Sequence, residues 1–184
     1  MKPWQNRNIL LVSVGFFLIF FGYGAAQQFI IPIFKTFGGE TIALTSLIIL
    51  YTTFAFGTIL SPKLISKFGS RKSFVISSIV YSMFVFSISL GNQYLLYLVS
   101  FLQGLAGSML FVNVGSYIIR ITKPKERGEA FGFLTSLFIL GNLLGTAATT
   151  FLLNFITTQN IFLILSAFSF SGLIPFLGIK DLKT

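Results

Sequence analysis

The sequence predicts an all-α membrane protein of six transmembrane helices, with short loops and both termini cytoplasmic. Three observations predict it. The 184 residues are 54% hydrophobic and 9% charged, whereas a soluble domain carries about 25% charged residues. The apolar residues form six continuous runs, each close to the roughly 20 residues that cross a bilayer as a helix. The basic residues gather in alternate loops.

The runs are too long and too evenly apolar for barrel strands, which alternate over about ten residues. Span 1 covers about 9–34. Residues 1–8 before it imitate a signal peptide, but the run is too long and has no small-x-small cleavage site. Span 2 covers about 41–60, with Glu40 at its start, where negative charge suits a helix N-terminus. Span 3 covers 73–90 and span 4 covers 94–119. Span 5 covers 130–155 and opens beside Glu126 and Glu129. Span 6 covers 161–179 and is followed by Asp181. Pro3, Pro62 and Pro124 are expected near span ends, where a missing N–H costs little. Pro32 and Pro175 lie deeper and are expected to kink spans 1 and 6. The whole chain, 1–184, reads as one six-helix domain.

The loops set the orientation. Lys2, Arg7, Lys63, Lys67, Arg71, Lys72, Arg120, Lys123, Lys125, Arg127, Lys180 and Lys183 fall on one side. Only Lys35 falls on the other. Such an excess marks the cytoplasmic face, and two cytoplasmic ends require an even number of spans. The net charge of +9 is therefore topological, and no nucleic-acid partner is expected.

Composition also excludes chemistry. The absence of Cys removes disulfides and thiolate nucleophiles. The absence of His removes the usual proton shuttle and the commonest metal ligand. Four carboxylates, none within a span, are few for hydrolytic or metal chemistry. No enzyme activity, metal or cofactor is expected, and no residue is assigned a catalytic role.

Three motifs carry information. Between spans 2 and 3, Pro62 is followed by Ser66, Lys67, Gly69, Arg71 and Lys72. This spacing resembles the signature loop of the major facilitator superfamily: glycine, three residues, aspartate, a basic residue, any residue, glycine, any residue, two basic residues. Ser66 stands at the aspartate position and Pro62 at the first glycine. The resemblance implies a cytoplasmic latch, and the lost aspartate removes one of its charged partners. Span 4 carries Gln103-Gly104, with Ser100 where the superfamily's fourth-helix motif has arginine. The resemblance ties that arginine to proton transfer, so its loss argues against proton coupling by this chain alone. Pro124, Arg127 and Gly128 are similar to the superfamily's opening of helix five. Gly141-Asn142 follows where antiporters of the superfamily have Gly-Pro, so the antiporter version is not supported.

The resemblance implies one half of a major-facilitator fold, a 3+3 inverted repeat equivalent to the first six of twelve helices. Ala25-Ala26-Gln27-Gln28, the Ser61–Leu64 segment, Gly115-Ser116-Tyr117 and Gly141-Asn142 look like its "uncoordinated" branch. That branch is known for potassium-channel regulation and receptor trafficking.

Two kinds of position follow. Gly104/Ser108, Gly128/Gly132 and Gly141/Gly145 are small-xxx-small pairs that let helix backbones approach; they read as packing positions. On span 5, Gly128, Gly132, Thr135, Asn142, Thr146 and Thr149 fall within about 100° of one another. That stripe is either a water-facing wall or a packing face. Gln27, Gln103, Asn113 and Asn142 are amides inside apolar runs, where an unpaired amide costs several kcal/mol. Tyr23 and Gln27 share a face of span 1. Asn113 and Tyr117 share one on span 4, with Gln103 about 80° away. The resemblance makes spans 1 and 4 line a central cavity. The candidate solute path is then Tyr23, Gln27, Tyr51, Asn113 and Asn142, with interhelical bonding as the competing role.

The expected partners are the lipid bilayer, a small solute and a second six-helix unit, either another copy or a separate chain. The expected function is a transporter half working by alternating access in the cell membrane. The alternatives are a non-transporting protein that regulates or chaperones another membrane protein, and a truncated product without activity of its own.

Overall fold

A computed structural model describes residues 5–37 and 39–182. Lys2, Pro3 and Lys183 lie outside the described residues. Six helices among them are long and apolar enough to cross a membrane. They are α1 (Arg7–Phe37), α2 (Glu40–Phe68), α3 (Ser70–Ser89), α4 (Gln93–Ile121), α5 (Arg127–Leu152) and α6 (Thr158–Ser171), the last extended by the short α7 (Leu173–Leu177).

Two boundaries differ from expectation for physical reasons. The segment read as a loop from Pro62 to Lys72 is mostly helix. The helix α2 runs on to Phe68, and Pro62 lies inside it. A proline removes one helical hydrogen bond, here to the Thr58 carbonyl, and α2 continues past it. Lys63 and Lys67 are exposed on this last stretch of α2, where charged side chains suit the membrane surface. A single residue, Gly69, then joins α2 to α3. Its φ of +83° is a left-handed conformation open to glycine. Span 6 is broken at Gly172 rather than kinked. Pro175 cannot donate to the Ser171 carbonyl and its ring crowds that oxygen, so the helix stops at Ser171.

The helices form an arc in the order α2, α4, α3, α6, α1, α5, with α3 also touching α1. Close approach rests on small residues. A Cβ added at Gly141 or Gly145 would lie 2.5 Å or 1.9 Å from the carbonyl oxygens of Phe17 or Phe21, so the α5 backbone lies directly on α1. At Gly104 it would meet the Leu50 carbonyl oxygen at 2.4 Å, which puts α4 on α2. Ser61 and Ser108 share a hydrogen bond of 3.0 Å across that seam. Ser77 Oγ donates to the Ala106 carbonyl at 2.9 Å, and Ser169 Oγ to the Ile19 carbonyl at 2.7 Å. These bonds satisfy hydroxyls that lipid could not.

The core between the helices is aromatic and aliphatic, with Phe16, Phe34, Phe74, Phe84, Phe162 and Phe176 fully buried. The two ends of the described chain meet at one end of the bundle. Asn8 Oδ1 accepts from the Lys180 N–H at 2.9 Å, and Tyr117 Oη donates to the Lys180 carbonyl at 2.9 Å. Asp181 Oδ1 accepts from the Arg71 N–H at 3.1 Å. A carboxylate thus sits at the N-terminus of α3, where the helix dipole favours it. At the opposite end, Lys35 pairs with Glu40 at 3.5 Å across the α1–α2 turn. That pair is exposed and contributes little.

Candidate functional site

A pocket of about 220 Å³ opens among α1, α2, α3, α4 and α5. Each lining residue falls within two or so turns of the middle of its own helix. If the helices span a bilayer, the pocket therefore lies near its midplane. The polar lining is Tyr23 and Gln27 from α1, Tyr51 from α2, Tyr81 from α3 and Gln103 from α4. Gln27 Nε2 donates to Tyr51 Oη, tying α1 to α2 at the pocket's rim. Tyr51 itself is 54% exposed, so this rim is open.

Deeper in, Gln103 is 1% exposed. It lines the pocket beside Tyr23, and its Oε1 is buried without a hydrogen-bond partner. Such an oxygen costs about 1–3 kcal/mol when left unpaired in a protein interior. Aromatic rings complete the walls. The Phe20 ring lies 4.5 Å from Phe138 and 5.4 Å from Tyr81, and Tyr23 lies 4.7 Å from Tyr81. Gly107 keeps the space open: an added Cβ would come within 3.1 Å of both the Phe54 ring and Tyr81 Oη.

Three of the five expected path residues, Tyr23, Gln27 and Tyr51, line this pocket together. Asn113 and Asn142 do not. Asn113 is fully buried and donates from Nδ2 to the Ser70 carbonyl at 2.8 Å, fastening α4 to the start of α3. Asn142 donates to the Phe138 carbonyl of its own helix at 3.0 Å, with Oδ1 against Gly24 of α1. Gln103 was recognisable as a buried amide, but only packing shows that it faces Tyr23. The aromatic walls lacked a motif altogether. Their signal was the recurrence of Phe and Tyr near the middles of five spans.

With this geometry in place, comparison with known proteins decides the family. Residues 12–182 match the Major Facilitator Superfamily. The chain belongs to that superfamily. The "UNC93-like protein 3" of Arabidopsis thaliana is 28% identical over 118 residues, which cover 64% of this chain and 24% of that protein. The "UNC93-like protein MFSD11" of Xenopus tropicalis is 24% identical, over 78% of this chain and 34% of its own length. The "Multidrug resistance protein 2" of Bacillus subtilis is 27% identical, over 82% and 38%. The chain therefore spans well under half the length of these relatives. Among solved structures, a peptide transporter POT in complex with sulfate superposes with a TM-score of 0.75 at 18% identity, covering 93% of this chain and 37% of that one. That likeness shows the fold.

The superfamily's loop motifs now have positions. Ser66, Lys67, Arg71 and Lys72 are exposed, and only Gly69 is buried, under the Asp181 carboxylate. In the second motif, Arg127 Nη2 reaches the Ile119 carbonyl at 3.4 Å near the end of α4, and Gly128 stands exposed. Gly104, Ser108, Gly141 and Gly145 sit at helix–helix contacts, as described above. Gly128 and Gly132 have nothing within 4 Å of an added Cβ. The α5 stripe is thus divided. Gly128, Gly132 and Thr135 are exposed, whereas Thr149 is fully buried.

Proposed function

We propose that this chain is half of a membrane transporter. It moves a small solute by alternating access with a second six-helix unit docked against α2 and α5. One observation carries the reading: a pocket with polar lining near the middle of the bundle has an open rim at α2, where Tyr51 is 54% exposed. The exposed faces of α2 and α5 beside it mix large apolar residues, Phe56, Ile59, Ile139 and Leu143 among them, with Thr52, Thr58, Gly132, Thr135 and Ser136. Small and hydroxyl-bearing residues in membranes concentrate where helices meet. A second unit seated on these faces would close the rim.

Supporting this reading, exchanging the first three helices with the last three leaves the main neighbours in place. The α1–α5 pair becomes α4–α2, and α3–α4 becomes α6–α1. A 3+3 inverted repeat has this property, and such repeats place solutes at the midplane. The basic residues, with both chain ends, belong on the cytoplasmic side of the cell membrane. No catalytic step is assigned.

A non-transporting partner of another membrane protein is the second reading. The absence of any intramembrane carboxylate favours it, because this chain has no proton-carrying group of its own. The chain has no cysteine, so single-cysteine variants separate the two cleanly. Thr135→Cys and Thr58→Cys should cross-link to a second six-helix unit in liposomes that show solute flux. Cross-linking only to an unrelated membrane protein, with no flux, would reverse the choice.

A further inference from the structure

The seam between α3 and α6 changes character along its length. On α3, Lys72, Ile76, Ile79, Met83, Phe86 and Leu90 form one exposed stripe at helical spacing. At the end near Gly69, a pocket of about 390 Å³ is lined by Arg71, Lys72 and Asp181 with Val75, Ile76 and Leu177. Ile79, one turn on from Ile76, belongs to the next opening, a groove of about 310 Å³ between α3 and α6. Met83 and Phe170 stand in that groove with the small residues Ser82, Ser166 and Ala167. Its two serine hydroxyls are already bonded within their own helices, Ser82 to the Ser78 carbonyl at 2.8 Å and Ser166 to the Leu163 carbonyl at 2.7 Å. The groove thus offers an occupant carbon, and the pocket next to it offers charge.

The sign of that charge follows from its members. Asp181 Oδ1 accepts from the Arg71 N–H. Among the described residues, the Arg71 guanidinium and the Lys72 ammonium have no ion-pair partner. Two cations and one carboxylate leave the pocket net positive. Basic pockets between membrane helices suit anionic headgroups. The spacing suits a lipid tail. From Lys72 to Met83 the helix rises about 16 Å at 1.5 Å per residue, close to the roughly 15 Å of half a hydrocarbon core. A free anion would leave the groove unused, and a plain hydrocarbon would leave the cations unused. We propose that this seam holds one anionic phospholipid from the leaflet at the basic end of the bundle. Its phosphate lies against Arg71 and Lys72, and one acyl chain follows the α3–α6 groove. In the helix order, α3 and α6 lie between α4 and α1, away from the outer faces of α2 and α5. A second unit docked on those faces would leave the lipid in place.

The test titrates the purified chain, in neutral detergent at low salt, with dioleoylphosphatidylglycerol or dioleoylphosphatidylcholine. Native mass spectrometry reads the first bound lipid. The two lipids have the same chains, so a difference between them reports the headgroup. Phosphatidylglycerol should bind about fivefold more tightly, the factor for one net charge near a membrane surface. The double variant Arg71→Gln/Lys72→Gln should lose that preference. Lys63→Gln/Lys125→Gln removes as much charge elsewhere and should keep it. Asp181→Asn removes the opposing carboxylate and should widen it, which tests the site by gain should the double variant not fold. Ala167→Phe fills the groove and should weaken binding of phosphatidylglycerol several-fold while the preference stays. Glycerol phosphate in excess, a headgroup without chains, should displace nothing. Equal binding of the two lipids, an equal loss of preference in Lys63→Gln/Lys125→Gln, a narrowed preference in Asp181→Asn, unchanged affinity in Ala167→Phe, or displacement by glycerol phosphate overturns the inference.

Discussion

Gly145→Ala should loosen the contact between α1 and α5. The added Cβ would stand 1.9 Å from the Phe21 carbonyl oxygen, 2.7 Å from its carbonyl carbon and 3.0 Å from its Cα. Ordinary van der Waals contact begins near 3.4 Å, so the helices must part by about 1.5 Å. The obstacle is backbone, so no side-chain rotation relieves it. Overpacking typically costs 1–3 kcal/mol, and an immovable obstacle places this case towards the upper end. Against that, alanine in a helix is favoured over glycine by about 1 kcal/mol. The expected net loss is therefore about 1–2 kcal/mol. Gly132→Ala is the matched control, because nothing lies within 4 Å of a Cβ there. It keeps the propensity gain without the clash and should be neutral or slightly stabilising in the isolated chain. The assay is unfolding of the detergent-solubilised protein by denaturant, followed by circular dichroism. Equal midpoints for Gly145→Ala and wild type, or an equal loss in Gly132→Ala, would refute the reasoning.

Asn113→Leu should destabilise the chain by about 0.5–1.5 kcal/mol, because the bond that fastens α4 to the start of α3 is lost; denaturant unfolding reads the loss, and an unchanged midpoint would mean that the bond contributes nothing. Asp181→Asn removes charge from the α3 N-terminus and should cost about 0.3–1 kcal/mol, shrinking in high salt. Salt titration of the unfolding midpoint reads that trend. Gly107→Ala narrows the pocket against Phe54 and Tyr81 and should lower solute flux in liposomes with little change in stability; unchanged flux would place the solute path elsewhere.

The six spans were legible because a bilayer permits few solutions: continuous apolar runs of the right length fold as helices. Gly104/Ser108 and Gly141/Gly145 were legible for a similar reason, since small residues in such helices mark contact; the same rule misplaced Gly128/Gly132, where nothing lies within 4 Å of an added Cβ. Asn113 and Asn142 were harder. A buried amide must bond to something, but the sequence does not say whether that is a solute, a neighbouring helix or its own backbone. Only the packing shows Asn113 turned to Ser70 and Asn142 turned to Phe138. The contact between Asp181 and Arg71 joins residues 110 positions apart, beyond the reach of any local pattern. The extent of α2 was missed because Lys63 and Lys67 look like loop residues. A helix that emerges from lipid keeps its hydrogen bonds and simply wets its last turns.

The joint at Gly69 has a mechanical meaning. Two long helices meet there through one residue, with no slack chain between them. A longer linker would let one helix tilt while its neighbour stayed still. Here any tilt of α2 pulls on the first turn of α3, which is itself pinned by a carboxylate from the other end of the chain. The α2–α3 joint therefore ties the ends of the two helices together at one end of the bundle, so a displacement of the end of α2 is felt first at the start of α3.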